Sequence, residues 1–262
     1  MDLNLEGKSA IVCGSTQGIG KEIAIELASM GASITLIARD KAKLQAVLAE
    51  LPKGQTQNHQ YIQADFSEPA ALKSKVDEYL KENTKPQILV NNTGGPAGGA
   101  IVDEPYAKFM TTMTAHLECN HILVQALVGG MKEAEFGRII NIISTSVYMP
   151  IPGLGVSNTV RGAVASWAKT LSLELGAFGI TVNNVLPGFT DTARLEGIIA
   201  AKAKKLGLSA EEVIRNMKKE TPAGRFGDPK ETAAAAAFLA SPAAGYINGV
   251  SVPVDGGRTG CI

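Results

Sequence analysis

A glycine-rich turn near the amino terminus is the first feature that could bind a ligand. The apolar run ending at Cys13 leads directly into Gly14-Ser-Thr-Gln-Gly18-Ile-Gly20, and an amphipathic helical pattern follows. Glycines that serve helix packing alone would give the same pattern. In such a turn, however, they let the backbone approach a diphosphate, which the free N–H groups of the helix amino terminus then bind. We therefore predict a dinucleotide-binding turn with contacts from Gly14, Thr16, Gln17, Gly18, Ile19 and Gly20.

Two charged residues stand at the end of the second apolar run, Arg39 and Asp40. A 2′-phosphate on the adenosine ribose is bound by a guanidinium, whereas a bare 2′-hydroxyl is usually bound by a carboxylate at this strand tip. Arg39 therefore favours NADP as the cofactor, and Asp40 keeps NAD as an alternative. If Arg39 has no role in binding, it is a solvent-exposed arginine at the start of the next helix.

The elements that must position these residues alternate along the chain. Short β-branched runs are followed by longer helical patterns, and the runs are continuously apolar, as in strands buried on both faces. Such alternation indicates right-handed crossovers in a parallel sheet. We predict a doubly wound, Rossmann-like α/β fold in a single domain over residues 1–262. The predicted helices span about 19–30, 41–51, 70–81, 109–131 and 158–178, and the Lys-rich segment 190–225 is predicted to be a substrate lid.

Composition narrows the functional classes. The 262 residues carry 25 Lys and Arg against 25 Asp and Glu, and zero net charge gives no general attraction to nucleic acid or anionic lipid. Cys13, Cys119 and Cys261 lie far apart without the C-x-x-C spacing of a metal or redox pair, so we expect a reducing compartment and no metal site. Neither a signal peptide nor a run of ~20 apolar residues is present. A soluble, cytoplasmic protein without nucleic-acid or membrane partners is expected.

The order of these motifs resembles the short-chain dehydrogenase/reductase family over essentially the whole chain. It is most similar to the 3-oxoacyl-carrier-protein reductases. The resemblance implies a nicotinamide-dependent oxidoreductase acting on a small carbonyl or alcohol substrate. It also implies a homodimer or homotetramer paired through the helices over 109–131 and 158–178, where Val160, Val164 and Trp167 form an apolar face. Further cofactor contacts implied by the resemblance are Asp65, Asn92, Gly94, Pro187, Gly188 and Thr190.

The catalytic positions depart from the family pattern. The family uses a Ser, a Tyr thirteen residues later, a Lys four residues beyond, and an Asn on the preceding long helix. Here Ser144 supplies the serine, but Ser157 and Arg161 occupy the Tyr and Lys positions, and His116 stands where the Asn is expected. Arg161 can still bind the nicotinamide ribose and place positive charge beside a developing oxyanion. The missing function is proton donation, since a serine hydroxyl is a far weaker acid than a phenol.

Two residues are candidates for the missing proton donor. His116 is the first, because imidazole titrates near neutral pH, and Tyr148 is the second. A structurally satisfied histidine and a tyrosine that merely lines a wall are the simpler interpretations. The loops that carry the pocket are predicted at the carboxyl edge of the sheet, over residues 94–99 and 148–155, with apolar walls from Met149, Ile151 and Leu154.

Three functions are compatible with this pattern. The first is an NADP-dependent oxidoreductase with an atypical catalytic set. The second is a nucleotide-binding sensor or scaffold without redox activity. The third is a lyase or isomerase that keeps the pocket and uses His116 as a base. Retention of Ser144 and of the segment at Pro187 and Gly188 favours the first.

Overall fold

The protein is described by a computed structural model that covers residues 1–83 and 85–260. These residues contain seven strands: β1 (Ser9–Cys13), β2 (Ser33–Ala38), β3 (Gln60–Gln63), β4 (Ile88–Asn91), β5 (Gly137–Ile142), β6 (Ile180–Pro187) and β7 (Ser251–Val254). All neighbours pair in parallel in the order β3-β2-β1-β4-β5-β6-β7. The predicted doubly wound sheet is confirmed, because the strand order reverses direction between β1 and β4.

Helices cover both faces of the sheet. On one face, α1 (Gly18–Ser29), α2 (Lys41–Glu50) and α9 (Pro229–Ala240) share an apolar core that includes Ile23, Leu44 and Ala236. On the other, α3 (Pro69–Glu82), α5 (Cys119–Glu133) and α6 (Gly155–Leu175) pack around Leu72 and Leu123. Burial of these faces against the sheet supplies most of the stability of helices this short.

The helix predicted over 109–131 is confirmed as a continuous helical segment, but it contains a π-helical turn. The structure has α4 (Tyr106–Met113), then a π-helical turn over Thr114–Glu118, and only then α5. A π-helical turn is wider than an α-helical one, and such turns occur frequently at functional sites. Here the turn carries His116, which is 5% exposed.

The segment predicted as a lid folds as a small helical pair. It consists of α7 (Ala193–Leu206) and α8 (Ala210–Lys219), and α8 begins with a capping box at Ser209. The two helices bury a cluster of their own, formed by Leu195, Ile199, Val213 and Met217. This pair lies between β6 and α9 in the chain, which leaves it free to cover the carboxyl edge of the sheet.

A row of polar side chains links four neighbouring strands. Asn91 donates to Asn141 at 2.8 Å, Asn141 to Asn184 at 3.0 Å, and Asn184 to the Ser251 hydroxyl at 3.0 Å. These residues are register partners across β4, β5, β6 and β7. The row therefore fixes the relative heights of the strand ends from which the site loops depart.

No helix among the described residues is long and apolar enough to span a bilayer. Val160 and Val164 are buried, and Val164 packs against Ile143 and Leu186 of the same chain. That stripe of α6 therefore meets the protein's own core.

Cys13 and Cys119 are buried free thiols, and Cys261 lies outside the described residues.

Candidate functional site

The glycine turn after β1 has the geometry of a phosphate cradle. Gly14 and Gly18 adopt φ values of +57° and +54°, which side chains disfavour. A Cβ at Gly14 would lie 2.5 Å from the Asn92 carbonyl oxygen. The first turn of α1 carries no acidic residue, and the side chain of Gln17 does not cap the helix. The N–H groups at this helix end are therefore available to an anion.

A serine hydroxyl without a hydrogen-bond partner in the same turn also supports a bound ligand at the glycine turn. The Ser15 hydroxyl is fully buried and has no hydrogen-bond partner among the described residues, and the Thr93 hydroxyl after β4 is in the same state. Buried hydroxyls without partners are rare unless a ligand or water satisfies them. The sequence prediction missed Ser15, although its place between two site glycines was a sufficient signal.

Asn92 has a positioning role at this turn. Its side-chain amide donates to the carbonyl oxygens of Cys13 and Gly14, both at 3.2 Å. These bonds tie the end of β4 to the first residues of the glycine turn. The predicted cofactor residue thus holds the backbone of the cradle in place.

The residues at the end of β2 separate into two roles. The Asp40 carboxylate accepts from the Lys43 N–H at 3.1 Å and caps α2. Arg39 is exposed, with its guanidinium 3.9 Å from the Asp65 carboxylate. Hydrogen bonds from Ser67 lower the pKa of Asp65 more than Arg39 does. Arg39 is therefore free to meet a phosphate, whereas Asp40 is occupied as a helix cap.

The segment after β6 crosses over the glycine turn. Gly188 bonds to the Val254 carbonyl, and a Cβ there would lie 2.7 Å from the Asp255 Cα. Thr190 is buried, and the methyl group of Thr192 lies 3.1 Å from the point where a Gly18 Cβ would be. Thr192 thus lies against the glycine turn, and the predicted residues Pro187, Gly188 and Thr190 precede it in the same segment.

Arg161 organises the centre of the site. Arg161 lies in α6, and its side-chain Nε donates to the Ser157 hydroxyl at 3.2 Å. One terminal nitrogen of the guanidinium donates to the carbonyl oxygens of Ile142 and Ile143, at 3.1 and 2.8 Å. Its other terminal nitrogen lies 3.4 Å from the position of a Gly95 Cβ. Burial, and then repulsion from Arg194, lowers the pKa of Arg161 to about 10. It remains a fixed cation at neutral pH.

The two serines keep their protons available. The Ser157 oxygen accepts from Arg161, and the Ser144 oxygen accepts from the Ser146 N–H at 3.1 Å. Each hydroxyl has its acceptor side occupied, so its O–H can donate to a carbonyl oxygen in the cleft.

His116 is neutral in this environment. Its Nε2 lies 3.2 Å from the Gly94 carbonyl oxygen, and because a carbonyl only accepts, Nε2 carries the proton. Burial, followed by repulsion from Arg161, lowers the pKa of His116 to about 3. Nδ1 is the nitrogen that can accept a proton. The expectation of ordinary titration near neutral pH is therefore corrected by the surroundings of the ring.

This burial predicts a pH dependence of stability. The unfolded chain protonates His116 near pH 6.5, while the native state resists protonation until about pH 3. The unfolded state binds the extra proton, so the free energy of unfolding falls as pH drops below 6.5, by about 1.4 kcal/mol per pH unit from this group. In urea denaturation at pH 6.5, 5 and 4, the free energy of unfolding of His116→Asn should fall less with decreasing pH than that of the wild type. An equal fall in both proteins would contradict a buried, neutral His116.

The structure does not bring Tyr148 into the centre of the site. Its hydroxyl donates to the Ser251 carbonyl on β7 at 3.0 Å, two strands away from the β5 strand that precedes it. The side chain is also largely exposed, at 45%. Its proton is directed away from the loop at Gly94, which His116 and Arg161 approach.

The two loops at the carboxyl edge form one wall. The Gly99 N–H bonds to the Gly153 carbonyl at 2.8 Å, and Gly99 and Leu154 pair as an isolated bridge. Met149, Ile151 and Leu154 are partly exposed, as expected for an apolar wall. Arg194 of α7 donates to the Pro96 carbonyl of the first of these loops at 2.6 Å. The sequence prediction missed Arg194, two residues past Thr192, because nothing in the pattern says that its side chain reaches this loop.

Comparisons with known proteins agree with this architecture. A family model described as enoyl-(acyl carrier protein) reductase matches residues 14–259. A solved structure described as a short chain dehydrogenase/reductase family protein is 30% identical, with a TM-score of 0.80 over 97% of this chain and 99% of that chain. The chain belongs to the short-chain dehydrogenase/reductase family. The predicted class of nicotinamide-dependent oxidoreductases is thereby confirmed.

Individual members of the short-chain dehydrogenase/reductase family resemble the chain over its whole length. The 3-oxoacyl-(acyl-carrier-protein) reductase of Vibrio cholerae is 34% identical, over 97% of this chain and 98% of the relative. The D-beta-hydroxybutyrate dehydrogenase of Cupriavidus necator is 32% identical, over 97% and 98%. The L-sorbose reductase of Gluconobacter frateurii, solved with NADPH and L-sorbose, is 28% identical, with a TM-score of 0.93 over the full length of both chains.

Proposed function

We propose that this protein is an NADP-dependent oxidoreductase that interconverts a carbonyl compound and an alcohol without the Tyr and Lys of its family. The observation that carries the proposal is the placement of Arg161. Its guanidinium is fixed by Ser157 and two strand carbonyls and directs one free nitrogen towards the loop after β4. A fixed cation beside two hydroxyl donors is the arrangement that stabilises a developing oxyanion.

The cofactor residues support NADP rather than NAD. Arg39 is exposed at the end of β2, and Asp40 already caps α2. Structural neighbours such as the L-sorbose reductase were solved with NADPH. By analogy, the turn over residues 14–20 would hold the diphosphate, Asp65 the adenine, and Arg161, Pro187, Gly188 and Thr190 the nicotinamide half.

Arg39→Ala tests the cofactor assignment. Loss of a hydrogen-bonded charge partner for the 2′-phosphate should weaken NADPH binding by about 1.5 kcal/mol, or roughly tenfold. NADH binding should not change, because it has no 2′-phosphate. Calorimetry with both nucleotides measures the effect, and Lys43→Ala, on the adjoining helix, is the matched control. Equal weakening of both nucleotides would show that Arg39 is not the 2′-phosphate site.

The chain's residues would act on the carbonyl oxygen in reduction. Ser144 and Ser157 donate hydrogen bonds to it, and the charge of Arg161 behind Ser157 stabilises the oxygen as it becomes negative. When bound, the reduced nicotinamide supplies a hydride to the carbonyl carbon. One proton must then reach the oxygen, so that the product is the neutral alcohol.

His116 is proposed as the source of this proton. The ring lies on the π-helical turn beside Gly94 and first takes a proton from water at Nδ1. This protonated form is a strong acid because the pKa of His116 is low, and it passes the Nδ1 proton to the carbonyl oxygen and becomes neutral again. In alcohol oxidation the roles reverse, since neutral His116 accepts the alcohol proton at Nδ1. The same neutral imidazole favours a second candidate function, a lyase or isomerase that uses His116 as a base.

Steady-state assays separate these functions. The proposal expects NADPH oxidation with members of a panel of ketones and oxo acids, seen as loss of absorbance by the reduced nicotinamide. Substrate conversion without loss of absorbance would establish the lyase or isomerase. Tight NADPH binding without conversion across the panel would establish a sensor or scaffold.

The proposal includes a lid and an oligomer. The α7–α8 pair would close over the substrate, which the bond from Arg194 to Pro96 supports. Copies would assemble as a homodimer or homotetramer through exposed parts of the α4–α6 surface, where Tyr106, Met110 and Leu173 are exposed apolar side chains. Cytoplasmic location remains part of the same proposal.

A further inference from the structure

Two arginines from different elements meet at one glycine after β4. A Cβ at Gly95 would lie 3.3 Å from a terminal nitrogen of Arg194 and 3.4 Å from a terminal nitrogen of Arg161. Arg194 comes from the start of α7, in the lid, while Arg161 comes from α6. The two guanidinium groups therefore approach the same position beside Gly95.

Neither guanidinium is neutralised within the described part of the chain. The ion pairs found there do not involve Arg161 or Arg194. Arg161 uses Nε and one terminal nitrogen on protein acceptors, and Arg194 uses one terminal nitrogen on Pro96. Each group thus keeps at least one N–H donor without a protein partner.

Such an arrangement costs free energy without an anion. Like charges that lie close together repel. Burial is the main cause of the lowered pKa of Arg161 and of His116, and the charge of Arg194 on Arg161, and of both arginines on His116, adds to it. An oxyanion placed between the two groups would remove the repulsion and accept the free N–H donors. Guanidinium groups suit a carboxylate because their N–H groups match its two oxygens.

We propose that Arg194 and Arg161 together bind a carboxylate of the substrate, which makes oxo acids the preferred carbonyl substrates. The inference rests on the proposed function for the identity of the reacting group. The carboxylate lies beside the Gly94–Pro96 loop, so the carbonyl it accompanies lies close to Ser157 and His116. In this proposal Arg194 is a specificity residue, and the helix pair α7–α8 carries it to the substrate.

The cofactor diphosphate is the other source of an oxyanion. It is already accounted for by the N–H groups at the amino end of α1 and by the glycine turn. The pair at Gly95 lies beyond Gly94, on the side of the site occupied by His116. The substrate is therefore the better match, and the two sources give different results in the experiment below.

The test compares benzoylformate with its neutral methyl ester. Calorimetry measures their binding with NADP+ present, so no reduction occurs. The wild type should bind the acid about 10- to 100-fold more tightly than the ester. Arg194→Gln, which keeps a hydrogen-bond donor but loses the charge, should remove most of the difference, because only Arg161 then remains, and Arg194→Lys should restore part of it. Arg215→Gln, on the exposed side of α8, is the matched loss of charge and should change nothing.

Equal affinities for acid and ester in the wild type would overturn the inference. So would an Arg194→Gln variant that prefers the acid as strongly as the wild type does. If Arg194→Gln weakens NADPH binding but leaves the acid preference intact, the guanidinium serves the diphosphate and the inference is wrong. An acid that binds through Arg194 but is never reduced by NADPH supports the inference and counts against the proposed function instead.

Discussion

Replacing Arg161 with glutamine is expected to lower kcat/KM for NADPH-dependent reduction by about 10²- to 10³-fold, the usual effect of removing one donor to an oxyanion. The variant loses the fixed positive charge beside Ser157, and the carbonyl oxygen then becomes negative next to uncharged donors. The loss should appear in kcat as well as in kcat/KM, because the charge acts on the transition state.

Arg161→Lys is the matched control for this substitution. It keeps the charge and should retain most of the activity, although a lysine cannot reach Ser157, Ile142 and Ile143 together as Arg161 does. Thermal unfolding of both variants shows whether the fold survives the loss of these bonds. A folded Arg161→Gln protein with wild-type kcat/KM would contradict the central role of this guanidinium.

His116→Asn is expected to lower the reduction rate by about 10²-fold or more, since general acid catalysis typically contributes that much. The pH profile gives a sharper signature. Because the pKa of His116 in the free protein is about 3, the protonated fraction falls tenfold for each pH unit above it. Wild-type kcat/KM for reduction should therefore fall with a slope of −1 between pH 5 and 8.

The variant should show a flat profile over the same range, because asparagine does not titrate. Tyr148→Phe is the control, and it should keep both the rate and the slope, since the Tyr148 hydroxyl is bonded to Ser251. A flat wild-type profile, or a slope that persists in His116→Asn, would remove His116 as the proton donor.

Much of the fold was predictable from the sequence because its signals are local. Continuous apolar runs separated by amphipathic helices predict a parallel sheet, and the structure has strands at each of these runs. The glycine turn was predictable for the same reason, since a strand, three glycines and a helix follow one another directly. Neighbouring residues alone determine these features.

The rest depended on contacts between distant residues. The role of Asp40 as a helix cap is seen only once the geometry is known. The low pKa of His116 arises from burial and from Arg161 and Arg194, which are 45 and 78 positions away in the chain. Tyr148 lies four residues after Ser144, yet its hydroxyl reaches β7.

Deuterium transfer tests the central claim most directly. The wild-type protein is mixed with NADPH deuterated at C4 on the transferable position and with a carbonyl substrate, and the alcohol is analysed by mass spectrometry. The account predicts one deuterium on the carbinol carbon, transferred by the native set of Ser144, Ser157 and Arg161. If the wild type transfers none across the panel while Ser157→Tyr/Arg161→Lys does, the native residues do not perform this reduction and the account is contradicted.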